Sequence, residues 1–215
     1  MTAQLPQEAS IIIGGGVIGC SLAYHLGKLG QKDVLLLERK QLTSGTTWHA
    51  AGLVAQLRAT RNLTQLAKYS ADLYATLEAK TELATGYRQT GSVSLALTKE
   101  QLEELKRNAA MASIFGVEAE MLSPSECLSL YPHLNLEGVK GGVHVPGDGQ
   151  ADPVNVTMVL AKGARMAGAR IVEQVKVTGV TQHDGRVTGV ETEFDRVKAP
   201  IVVNCAGMWA RDVGQ

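Results

Sequence analysis

Hydrophobic runs change character quickly at the start of the chain. Ser10-Ile11-Ile12-Ile13 is a short β-branched run that stops at three glycines, which predicts a buried strand. Val17 to Leu29 then carries Ile18, Leu22, Leu26 and Leu29 at helical spacing and closes at Gly30. Val34-Leu35-Leu36-Leu37 is a second buried strand, ending at the charge of Glu38. Two such strands flanking one helix predict a parallel pair with a right-handed crossover.

Residues 39–61 are rich in Ser, Thr and Gly and show no period, so a long loop with at most one short helix is expected. From Asn62 to about Ala84, Leu63, Leu66, Ser70, Leu73 and Leu77 recur at steps of three and four. The spacing predicts an amphipathic helix with Asn62 as its N-cap. Ser92 to Leu97 reads as a strand. Thr98 with Gln101 forms a capping box for a helix that stops at Gly116, and Ser123-Pro124-Ser125-Glu126 repeats the start signal.

Gly141 to Val145 reads as a strand, and Asp152-Pro153 opens a helix running to about Gly168. Strands are expected at Arg170–Val172 and Val175–Gln182, and Asp184-Gly185 turns the chain into a hairpin partner at Arg186–Thr192. Ile201-Val202-Val203-Asn204 is a last buried strand, followed by Cys205-Ala206-Gly207 and a helix start at Met208–Arg211. The sequence stops at Gln215, about one turn into that helix. The expectation is a piece of a longer polypeptide, truncated at its C-terminus, with apolar sheet surface left uncovered.

Strands alternating with helices define an α/β protein, and composition agrees. Gly, at 23 of 215 residues, exceeds the usual ~7%, while aromatics are 4%. The length suits one large domain, or one domain and part of another. Lys plus Arg (21) balances Asp plus Glu (21), which removes any global charge argument for nucleic acid or an anionic membrane. The apolar runs are shorter than a membrane span needs, and the first ten residues lack signal or transit character. Cys20, Cys127 and Cys205 are far apart, with no C-x-x-C pair. No disulfide framework and no metal site is expected, and a reducing, cytoplasmic setting is the default.

Gly14-x-Gly16-x-x-Gly19 follows a strand and opens a helix, and Glu38 ends the next strand 19 positions after Gly19. Gly14 allows the tight turn, Gly16 lets a pyrophosphate approach the backbone, and Gly19 lets helix pack on strand. The helix start at Val17 and Ile18 faces the phosphates, and Glu38 accepts from ribose hydroxyls. An acidic residue there argues against NADP. It does not separate NAD from the ADP half of FAD.

The loop after that strand bears on the choice. Its small and hydroxylated residues, with one Trp and one His, suit a segment that must reach across a pyrophosphate to a flavin ring. Thr43-Ser44-Gly45-Thr46-Thr47-Trp48-His49-Ala50-Ala51-Gly52-Leu53 is joined by Gln89-Thr90-Gly91-Ser92, by Pro146-Gly147-Asp148-Gly149 with Asp152-Pro153, and by Asn204-Cys205-Ala206-Gly207-x-Trp209. Together these segments resemble the dimethylglycine dehydrogenase/sarcosine dehydrogenase branch of the D-amino-acid-oxidase-like flavoproteins, over nearly all of residues 10–215.

The resemblance implies a Rossmann-like FAD-binding domain with a parallel sheet, interrupted by part of an α+β substrate domain. The expected division is 10–85 and 149–215 for the FAD-binding domain and 86–148 for the substrate or cap domain. It implies FAD, joined covalently to His49 through the 8α-methyl carbon. Arg39, Gly45, Thr46, Thr47, Trp48, Ala50, Ala51, Gly52 and Leu53 are further cofactor contacts by the same likeness. The segment Val175-Lys176-Val177 is implied to lie where backbone meets adenine, with Ala206 and Gly207 at the carboxyl edge of the sheet. Asp148-Gly149 and Asp152-Pro153 are explained by a turn and an N-cap.

The implied activity is oxidative demethylation of an N-methyl amino acid such as sarcosine or dimethylglycine, by hydride transfer to flavin. The implied electron acceptor is an electron-transfer flavoprotein or oxygen, and tetrahydrofolate would belong only to a longer parent chain. The same branch includes the regulatory subunit of pyruvate dehydrogenase phosphatase, so a non-catalytic flavin-binding subunit is the alternative. None of His25, His133, His144 and His183 sits in a motif, and no catalytic base is assigned.

Overall fold

The computed structural model describes residues 8–214, which divide into two compact units. The first holds the chain up to Ala51, Leu77–Thr85, and the chain from Asp152 onward; the second holds Gly52–Thr76 and Gly86–Ala151. The expected 10–85 segment is therefore split. Its Gly52–Thr76 stretch is drawn into the second unit, where Leu53 and Val54 pair with Gln150 and Gly149.

Strand β1 (Glu8–Ile13), helix α1 (Val17–Lys28) and strand β2 (Val34–Leu37) lie where the hydrophobic periods predict. The long loop holds one 3-10 turn, Thr47–His49, and a two-residue strand, β3 (Leu53–Val54). Helix α2 (Arg61–Thr81) starts before Asn62. Thr60 takes the expected capping role instead, its Oγ1 accepting from Leu63 N–H at 3.3 Å. The helix also stops short of Ala84, because Glu82 turns to φ +55°.

Strand β4 (Ser92–Ala96) leads into α3 (Lys99–Ile114), whose capping box of Thr98 and Gln101 is complete. Strand β5 (Glu120–Leu122), too short to show a period, precedes α4 (Pro124–Leu130) with its box of Ser123 and Glu126. Strands β6 (Gly141–Val145) and β7 (Gly149–Gln150) complete the second unit. In it, β6 lies between β4 and β5 in an antiparallel sheet. Val143 and Val145 pack with Ala112 of α3 and with Val117, while Cys127 of α4 abuts Gly142.

Helix α5 (Pro153–Met166) begins at Asp152, whose carboxylate accepts from Asn155 N–H at 2.9 Å. It is followed by β8 (Arg170–Val172), β9 (Val177–His183), β10 (Arg186–Thr192) and β11 (Arg196–Asn204). Asp184 and Gly185 both take positive φ, as a two-residue hairpin turn between β9 and β10 requires. A 3-10 turn, Gly207–Trp209, and the short helix α6 (Ala210–Val213) close the first unit.

The first unit is built on one sheet of order β8-β2-β1-β11-β10-β9. Strands β8, β2, β1 and the end of β11 run parallel, while β11, β10 and β9 are antiparallel. β11 serves both parts. Lys198 pairs with Gly189 of β10, Ile201 to Asn204 pair with Ser10 to Ile13, and the register slips between. Pro200, which has no N–H for a ladder, sits at the change.

The antiparallel ribbon returns to the parallel strands, since Val175 N–H donates to Glu38 O at 2.9 Å. Ile11, Ile13, Leu35 and Leu37 share one core with Val175, Val177, Val190, Val197 and Ala199. On the opposite face α1 and α5 pack closely, Tyr24 against Gly163 and Gly27 against Ala167. Ile201 and Val203 share Ser10's and Ile12's side of the sheet, and Ile201 is 55% exposed there. Among the described residues no helix is long and apolar enough to cross a membrane.

Candidate functional site

The site lies in the first unit, at the carboxyl ends of β1, β2 and β11, where open α/β sheets bind ligands. The chain leaves β1 at Gly14 with φ +110°, and a Cβ there would stand 2.5 Å from the Cys205 carbonyl oxygen. Only glycine meets both conditions. Gly14 N–H donates to Leu37 O at 2.9 Å and Cys205 N–H to Ile13 O at 2.8 Å, so the turn is tied to both neighbouring strands. A Cβ on Gly19 would overlap the Gly14 carbonyl, which is how α1 packs onto the turn.

Glu38, half-buried at the end of β2, accepts from Gly15 N–H at 2.7 Å through Oε2 and from Lys40 N–H at 2.8 Å through Oε1. A carboxylate offers about four acceptor positions, so it keeps capacity for two ribose hydroxyls. Its own N–H and C=O pair with Val172 and Val175. Those bonds bring Val175, Lys176 and Val177 into the same wall.

The loop beyond β2 folds back over the glycine turn. Leu42 N–H donates to Glu173 Oε1 at 2.6 Å, and Thr43 N–H to Gly15 O at 3.0 Å. Thr47 is buried, and its Oγ1 accepts from Val17 N–H at 3.1 Å. Trp48 and His49 follow on the exposed side, their ring centroids 3.7 Å apart and tilted by 32°. Trp209 arrives from the turn after β11. Arg39 lies 4.1 Å above its ring, a cation–π contact, and its edge reaches Gly45.

These parts enclose a cavity of about 640 Å³, within the usual range for cofactor sites. Gly14, Gly16, Glu38, Arg39, Gly45, Thr46, Thr47, Trp48, His49, Val177, Ala206 and Gly207 all line it. Val17 and Gly19 support it from behind through the bonds and contacts above, and Ile18 is exposed in the first turn of α1. Ala50 and Ala51 continue the loop beyond the lining, and Gly52 and Leu53 fall in the second unit.

Sequence reasoning omitted Trp209, Met208 and Lys40 from the site, although all three line the cavity. The signal for Trp209 was its place two residues beyond Gly207. The thiol of Cys205 also lines the cavity, and burial pushes its pKa up; Cys20 is pushed up to about 12 by burial. Both are thiols, not thiolates, at neutral pH. None of His25, His133, His144 and His183 is in the lining. Among the described residues no group of three or more His, Cys, Asp or Glu could hold a metal ion.

The donor set fits an adenine dinucleotide. Glycine backbone and the start of a twelve-residue helix suit a pyrophosphate, a carboxylate with spare acceptor capacity suits a ribose, and a wall of small residues leaves room for a ring system. Asp148, in the second unit, is no part of this cavity. It is buried, accepts from Gln56 N–H at 2.7 Å and Ser92 Oγ at 2.6 Å, and so ties two loops to the start of β4.

Comparison with known proteins gives the class. Residues 10–215 match the family of FAD dependent oxidoreductases, and the chain belongs to that family. It is 43% identical to human mitochondrial sarcosine dehydrogenase over 98% of this chain. It is 41% identical to rat mitochondrial dimethylglycine dehydrogenase over 96% of this chain, and 39% identical to the mouse pyruvate dehydrogenase phosphatase regulatory subunit over 98%. The chain spans 24% of the length of each of these relatives. Among solved structures, L-proline dehydrogenase from P. horikoshii superposes with a TM-score of 0.91 at 29% identity, covering 97% of this chain and 55% of that one.

Proposed function

We propose that the chain forms the FAD-binding part of an oxidoreductase that demethylates an N-methyl amino acid, with sarcosine or dimethylglycine as the substrate. The observation that carries this is the single cavity lined by the glycine turn, Glu38 and the Trp48–His49 turn. Gly14 to Gly19 and the start of α1 hold the pyrophosphate, Glu38 the adenosine ribose, and Val175 to Val177 the adenine edge. When bound, the flavin supplies the hydride acceptor, and electrons leave to an electron-transfer flavoprotein or oxygen.

His49 is the covalent attachment point in this reading. With FAD bound, His49 would hold it by a bond from a ring nitrogen to the flavin methyl carbon, its N–H and one methyl C–H being given up to dioxygen. Its exposure on the cavity wall beside Trp48 supports this role. Acid precipitation of the FAD-loaded protein tests it directly. The pellet should be yellow, and His49→Ala should leave it colourless while FAD still binds reversibly.

A flavin-binding subunit without catalysis is the second reading, favoured by the 39% identity to the phosphatase regulatory subunit. Anaerobic addition of sarcosine or dimethylglycine separates the two. Bleaching of the flavin absorbance supports the oxidoreductase, and unchanged absorbance with both amines supports the regulator.

A further inference from the structure

Helix α1 begins without a capping side chain of its own, since Gly16 occupies that position. Thr47 fills the role from 30 residues downstream, its Oγ1 accepting from Val17 N–H at 3.1 Å. The same oxygen lies 3.0 Å from where a Cβ on Gly16 would stand, and the residue is only 8% exposed. Thr47 is also the first residue of the 3-10 turn that carries Trp48 and His49. The turn itself is held by two backbone bonds, His49 N–H to Thr46 O and Ala50 N–H to Thr47 O, both at 3.2 Å. A lone turn of this kind has poor hydrogen-bond geometry and little stability of its own. The tie to α1 is a further constraint on where the two rings stand, and it comes from outside the turn.

We propose that Thr47 is a positioning residue whose hydroxyl fastens the Trp48–His49 turn to the first turn of α1. The pyrophosphate site and the histidine are then assembled as one surface before any cofactor arrives. This rests on reading the cavity as an FAD site with His49 as its attachment point. The smallness of Gly16 serves the same contact, because any side chain there would push the Thr47 hydroxyl away. Serine at 47 keeps the bond. Valine keeps the shape and loses it.

The test uses the flavin-free full chain and its Thr47→Val and Thr47→Ser variants, with amide hydrogen exchange read at Val17 and across 46–50. Loss of a helix cap should raise exchange at Val17 and in the turn by about tenfold in Thr47→Val, and Thr47→Ser should stay near the unaltered protein. After FAD is added in air, acid-stable flavin should accumulate several-fold more slowly in Thr47→Val and be rescued in Thr47→Ser, on the order of the same loss. Unchanged exchange in Thr47→Val, or equal damage from serine, would overturn the proposal. Should Thr47→Val fail to melt cooperatively, Thr47→Ala takes its place against Thr47→Ser with the same readings. If the unaltered protein never forms acid-stable flavin, the assignment of His49 fails, and the exchange comparison, which needs no cofactor, still decides for or against Thr47.

Discussion

Gly14 admits no side chain for two separate reasons: its φ is +110°, and the Cys205 carbonyl oxygen lies 2.5 Å from where a Cβ would stand. Gly14→Ala should therefore cost about 1–3 kcal/mol, visible as a lowered urea midpoint, and should weaken ADP binding as the turn shifts. Glu38→Gln presents an amide where two backbone N–H donors point. One of them loses its acceptor, so ADP affinity should fall by roughly tenfold or more, measured by calorimetry. The glycines and Glu38 were legible in the sequence because their chemistry needs fixed residue types at fixed spacing. The Thr47 cap and the Arg39–Trp209 contact were not, since partners distant in sequence are joined only by the fold.

Cys20 gives a pH prediction. Burial holds its proton more tightly in the folded chain, raising the pKa from 9.0 to about 12. Its contribution to stability is present below 9.0 and is lost as pH rises toward about 12. Alkaline unfolding in that window should lose part of its slope in Cys20→Ala, even though the variant is less stable at neutral pH.

At the scale of elements, caps and periods were legible wherever they were local. Thr98 accepts from Gln101 N–H at 3.2 Å and Gln101 Oε1 accepts in return from Thr98 N–H at 3.2 Å, as the spacing predicts. Thr98→Ala should cost about 1 kcal/mol, read as a lower thermal midpoint. Strands β3, β5 and β7 escaped, being two or three residues long with no period; β8 is as short, but its Ile171-Val172 pair is β-branched. The first half of β11 escaped for another reason. Arg196, Lys198 and Pro200 break its hydrophobic pattern, yet Val197 and Ala199 alternate with them and are buried.

Over the whole molecule, the chain crosses between its two units several times, and no single stretch of sequence makes either one. Hydrophobic period cannot show such interleaving, which is why the expected division and the compact units differ over 52–76. Asp148 is the polar centre of the second unit. Asp148→Ala strands the Gln56 N–H and the Ser92 hydroxyl, and should cost about 1–3 kcal/mol for each donor left without a partner. Hydrogen exchange should then quicken through Gly86–Ala151 before it does in β1 and β2.

The sequence contains two tryptophans, Trp48 and Trp209, and both stand in the lining of the one cavity. Tryptophan emission, excited beyond the absorption of the five tyrosines, is therefore an optical gauge of that cavity. A bound flavin would drain it by energy transfer, so titration with FAD should dim the emission without any label attached. ADP, which lacks the absorbing ring, should change it far less.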